Sequence, residues 1–130
     1  MATKGETARS SRNVADDVDA PSPHSIEAER SVLGAILIDN RAWSKAAAVV
    51  SAHDFFRVGH QRVFGAMERL TAAGSPIDFT LLMEELRKTN DLDEVGGPAY
   101  LAGLTDGVPR AVNVEAYAKV VVDKSKLRQA

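Results

Sequence analysis

The stretch HSIEAERSVLGAILID, residues 24–39, decides the fold class. Taken alone, the apolar run VLGAILI (residues 32–38) has the composition of a buried strand. The preceding IEAERS is rich in helix formers, and the combined length exceeds that of an ordinary strand, so the stretch reads as a helix. Ser25 is a good N-cap, and Glu27 falls in the first turn, facing the positive helix end. The helix is expected to stop near Asp39 and Asn40. Gly34 inside it costs about 1 kcal/mol relative to alanine, and is expected to let a neighbouring helix approach closely.

The helical period continues along the chain. RAWSKAAAVV (residues 41–50) is expected to be a second helix with Trp43, Ala47 and Val50 on one face. The segment His53-Asp54-Phe55-Phe56 reads as a tight connection that drops two aromatics into the core. A third helix carries Phe56, His60, Val63, Met67 and Leu70 at spacings of four, three, four and three, an apolar stripe with one histidine in it. Gly74-Ser75-Pro76 ends it.

A fourth helix begins at Asp78 as N-cap, with Ile77 able to staple onto Leu82. Phe79, Leu82, Met83 and Leu86 form its expected buried face, and Asn90 closes it. Gly96-Gly97-Pro98 is a turn, with Pro98 suited to the first turn of a short fifth helix, AYLAGL. A sixth helix starts after the cap Asn113, with Val112 and Tyr117 as a second staple. It reaches Ala130 without a glycine or proline stop, as expected of a chain cut from something longer.

No convincing strand is visible. The expected fold is therefore all-α, a compact bundle of about six helices over residues 24–130. Residues 1–23 have almost no large apolar side chain and read as a disordered tail, since they cannot bury enough surface to offset their conformational entropy.

With 130 residues, 45% apolar and 26% charged, the chain has the composition of one soluble domain. It contains no cysteine, which removes thiol catalysis and zinc–thiolate sites and fits a reducing cytoplasm. A net charge of -2 argues against a domain that grips nucleic acid by its backbone. The apolar run of residues 32–38 is far shorter than the roughly 20 residues a membrane span needs.

Candidate chemistry is sparse. Glu27 and Glu29 are two apart, so on a helix they point about 200° from each other and cannot flank one bond. They read as a surface acid that helps the helix start and a rim residue. His53, Asp54 and His60 do not have the spacing of metal ligands on one helix face, and His60 reads as a hydrogen-bonded core or interface histidine. No G-x-x-x-x-G-K-[ST], G-x-S-x-G or H-E-x-x-H string occurs. Arg62 and Arg69 share a face without interleaved aromatics and read as solvated surface. No catalytic residue, cofactor site or metal site is therefore expected; from the residues alone, the job is binding other proteins or self-association.

The order of motifs goes further. HSIEAERSVLGAILID, DFF followed by HQRVFGAME, GSPIDFTLL, LDEVGGPAYLAGL, and VPRAVNVEAYAKVV with KSKLRQ together resemble the N-terminal domain of the bacterial replicative DNA helicase, the DnaB family. The resemblance spans residues 23–130. It departs from the family at Arg30, where glutamine is commoner, and at Pro98, where an aromatic or small residue is commoner.

The resemblance implies a non-catalytic collar domain. The full family protein is an ATP-dependent helicase, a hexameric ring with paired N-terminal domains, moving on single-stranded DNA at the replication fork in the cytoplasm. Its helical hairpin and RecA-like ATPase domain, which would carry ATP and magnesium, lie outside this sequence. The implied partners are further copies of the chain, the primase C-terminal domain and a helicase loader, with DNA met mainly through the parent ring. Two primase-sensitive positions carry over where the motif matches, Glu27 in IEAE and Tyr100 in GGPAYL. For Tyr100 the plainer alternative is a tyrosine at the edge of the core. A stand-alone helical DNA-binding or adaptor protein is the competing overall reading.

Overall fold

A computed structural model describes residues 24–108 and 113–129. Six α-helices and no strand occur among them: α1 Ile26–Ile38, α2 Ala42–Ala47, α3 Val58–Ala72, α4 Phe79–Lys88, α5 Gly97–Gly103 and α6 Val114–Gln129, with a 3-10 turn Ala52–Asp54 between α2 and α3. The tail of residues 1–23 and the Val112 staple lie outside the described residues.

The caps form as their residue types require. Ser25 Oγ accepts the Ala28 N–H at 3.2 Å, Asp78 Oδ1 accepts that of Leu81 at 2.8 Å, and Asn113 Oδ1 accepts that of Ala116 at 3.2 Å. Each satisfies one of the backbone donors a helix start leaves open. Asn90 closes α4 in the left-handed region at φ 61°. There the Asp91 N–H reaches back to Leu86 O at 2.8 Å, the bond that satisfies a last-turn carbonyl.

Helix α1 is the centre of the bundle, packed most extensively on α6 and also against α2 and α3. Its Val32, Leu33 and Ile36 are fully buried. The close approach expected at Gly34 is real, but the neighbour is the turn after α5. A Cβ at Gly34 would run into the Leu104 carbonyl oxygen and come within 2.8 Å of Val108 Cγ2. The end of α1 is tied to the entry of α4 by a reciprocal pair: Asn40 Nδ2 donates to Ile77 O, and Ile77 N–H donates to Asn40 Oδ1, both at 2.7 Å. The aromatic part of the core is Phe55, Phe64 and Trp43, with Phe64 5.1 Å from Phe55 and 4.7 Å from Trp43 between ring centroids.

Three expectations need correction. Helix α2 ends at Ala47, and Ala46, not Ala47, is its buried residue, while Val50 is buried from the connection that follows. The helix is only six residues long, too short for a periodic stripe to be defined. Helix α3 starts at Val58, so Phe56 precedes it and is half-buried. Phe56 stacks on His24 at 4.0 Å and lies beneath the Arg128 guanidinium; only Phe55 enters the core. Phe79 is the first residue of α4 and stays exposed at 37%. The burial of α4 is carried by Leu82 and Leu86, with Ile77 buried just ahead of the cap.

Candidate functional site

The most structured polar group in the molecule joins three helices. Glu29 on α1 and His60 on α3 are both buried. Glu29 occupies the core face of α1, one turn before Val32 and Leu33, and therefore points where its helix packs. His60 does the same on α3. His60 Nδ1 lies 2.7 Å from Glu29 Oε1. Glu29 also accepts the Phe56 N–H at 2.6 Å and the Arg57 N–H at 3.4 Å. These are the backbone donors just before α3, so the carboxylate caps that connection from another helix.

The other ring nitrogen, His60 Nε2, is 2.5 Å from the Tyr100 hydroxyl on α5. Tyr100 is half-buried. The Arg30 and Arg57 guanidiniums each sit 5.3 Å from its ring centroid, within cation–π reach. Arg30 also donates to Gly103 O at 3.3 Å. Gly96 shapes the same place, because a Cβ there would come within 2.8 Å of Tyr100 Cβ.

Glu29 is thus not a rim residue. Helical geometry separates it from Glu27 by about 200°, and that separation turns Glu29 into the core. The signal was present in the sequence: residues 29, 32, 33 and 36 share one helical face, as His60 shares the α3 stripe. Two polar residues on apolar stripes have to be paired, since an unpaired buried charge is costly. Glu27 is exposed and borders a cleft of about 260 Å³ with Arg30, Ser31, Leu104 and Asp106. Arg30 thus lines the cleft beside Glu27 and also lies against the Tyr100 ring.

His53 is exposed, its Nε2 3.6 Å from Asp54 Oδ1, and Asp54 has closer partners. Asp54 accepts the Ser51 N–H at 2.9 Å, the Ser51 hydroxyl at 3.1 Å and the Ser125 hydroxyl at 2.8 Å. Burial pushes its carboxyl up, but these donors and nearby His53 outweigh it and hold it below the ordinary carboxylate range. Arg128 donates to Asp54 O at 2.7 Å, so the end of α6 is clasped to the same connection that Glu29 caps. No group of three or more potential metal ligands occurs among the described residues, and no helix among them is long and apolar enough to cross a membrane. Arg62 and Arg69 are occupied by Glu94 at 3.3 Å and Glu85 at 2.8 Å, respectively.

The family model described as the DnaB-like helicase N terminal domain matches residues 21–123. The chain belongs to that family. It is 45% identical over 107 residues to the replicative DNA helicase DnaB of Geobacillus stearothermophilus, covering 82% of this chain and 24% of that protein. To the replicative DNA helicase DnaB of Treponema pallidum (strain Nichols) it is 48% identical over 106 residues, with 82% and 24% covered. The crystal structure of the N-terminal domain of DnaB helicase from Mycobacterium tuberculosis superposes with a TM-score of 0.80 at 35% identity, covering 83% of this chain and 75% of that one. The chain spans about a quarter of the length of the curated relatives. Membership of the DnaB-like N-terminal domain family favours the helicase-domain reading over a stand-alone DNA-binding or adaptor protein, and it accords with the all-α fold.

Proposed function

We propose that this domain serves as the collar of a replicative DNA helicase, mediating assembly of copies into a ring and recruitment of the primase. ATP and magnesium belong, in this reading, to the motor domain of the parent protein, and the setting is the cytoplasmic replication fork, where a helicase loader is a further partner. The observation that carries the reading is the continuity of Glu27, Arg30 and Tyr100 at the edge of an all-α domain of this family, around a buried polar group.

Glu27 is an exposed first-turn acid suited to a basic partner group. Tyr100 offers a ring and a hydroxyl together, a combination enriched at interfaces. Titration of the cognate primase C-terminal domain into this chain by calorimetry, at tens of micromolar, is expected to release or absorb heat that Glu27→Ala and Tyr100→Ala diminish. A flat titration, for this chain and for a longer one carrying the hairpin, overturns the docking reading.

A further inference from the structure

With a neutral ring, the partners of His60 define which way the Tyr100 hydroxyl points its proton. Glu29 accepts two backbone N–H groups, from Phe56 at 2.6 Å and from Arg57 at 3.4 Å. An ionised carboxylate has no proton to offer, so the bond to His60 at 2.7 Å requires the hydrogen on Nδ1. In the neutral ring Nε2 is then a lone pair. It can only accept, and the group facing it at 2.5 Å is the Tyr100 hydroxyl. With that ring neutral, the phenol's single proton turns inward to Nε2, and its oxygen is left as an acceptor.

We infer that Glu29 and His60 are positioning residues for Tyr100, holding its hydroxyl as an acceptor, so that the partner group it meets is a hydrogen-bond donor. This rests on the reading of Tyr100 as a docking residue. The class of donor follows from the surroundings. Arg30 and Arg57 lie 5.3 Å from the ring centroid, and two guanidiniums disfavour a third full positive charge beside them. A neutral donor, a backbone or side-chain amide, fits Tyr100. A cationic side chain fits Glu27.

Glu29→Gln reverses the arrangement without changing its shape. The short Phe56 N–H bond needs an acceptor, so the amide oxygen takes it and the NH₂ faces His60 Nδ1. His60 must then carry its proton on Nε2, and the Tyr100 hydroxyl must accept inward and donate outward. The experiment has two parts, both on the full chain. Imidazole ¹⁵N chemical shifts are expected to give the Nδ1–H tautomer for His60 in the wild type and Nε2–H in E29Q. Calorimetry with the primase C-terminal domain is expected to show E29Q weakened about five- to tenfold, the scale of one hydrogen bond. Tyr100→Phe should weaken binding similarly, and the double variant should be no weaker than Tyr100→Phe.

An Nε2–H tautomer or a doubly protonated ring in the wild type overturns the inference, and that spectrum needs no variant to fold. So does a flipped tautomer in E29Q with unchanged affinity while Tyr100→Phe weakens binding, or an additive double variant. If Tyr100→Ala leaves binding intact, the docking reading itself fails and takes the partner half of the inference with it. The tautomer half is then still decided by the spectrum.

Discussion

His60 Nδ1 lies 2.7 Å from Glu29 Oε1, with both side chains withdrawn from solvent. The bond joins α1 to α3, and the same carboxylate caps the backbone ahead of α3. Glu29→Ala leaves the Phe56 N–H and the imidazole without their acceptor in a dry site. The expected cost is about 2–5 kcal/mol, since two donors lose their acceptor. Replacing both residues by apolar ones, as in Glu29→Leu with His60→Leu, should cost less than Glu29→Ala alone, because the imidazole is then no longer left without its acceptor. Urea unfolding of the three proteins checks the order, and a double variant less stable than the single would count against it.

Gly34→Ala tests the crossing of α1 over the turn after α5. Helix propensity alone favours alanine by about 1 kcal/mol. The added methyl, however, meets the Leu104 carbonyl oxygen, which is backbone and cannot swing aside. A net destabilisation of about 1–3 kcal/mol is expected. Thermal unfolding at an unchanged or raised midpoint would contradict the close approach.

Asp54 gives the clasp on α6 an acid dependence. Its folded-state carboxyl is held below the ordinary value of 3.8 by the Ser51 and Ser125 donors against the opposing effect of burial. A depressed carboxyl contributes stability that is fully present above its unfolded value and is lost as pH falls through the lower folded value. Acid unfolding followed by circular dichroism should therefore begin below about pH 4. Ser125→Ala removes one donor, so its stability loss relative to wild type should be present at pH 7 and shrink as the pH falls below that range. A loss that stays constant across that interval would assign Ser125 to packing alone.

Asn40→Ala removes the reciprocal bonds to Ile77. Ile77 is buried, and Asn40 holds both of its backbone groups from an exposed position. A loss of about 1–3 kcal/mol is expected, measurable by chemical denaturation. Faster amide exchange at Ile77 and Leu81 than at Val63 and Met67 would locate the loss at the α1–α4 join.

The helices themselves were largely legible in the residues. Ser25, Asp78 and Asn113 declared three helix starts, and each accepts the expected backbone N–H. Those are local rules, settled within one turn of chain. Ala47 and Phe79 depart from the expected faces because a short helix, or a first-turn position, has too few neighbours for periodicity to say which side is covered. Phe56 departs from the expected stripe because its position depends on His24 and Arg128, residues from distant parts of the chain.

By itself the sequence determined the all-α class, the order of helices, and the separation of Glu27 from Glu29 on α1, since these follow from 3.6 residues per turn and from capping chemistry. Only the tertiary structure decided that Glu29 meets His60 and that His60 meets Tyr100. The three residues are 31 and 40 positions apart in successive steps. No local period specifies such pairs. They form because α1, α3 and α5 converge on one core, where a buried carboxylate and imidazole have to find each other.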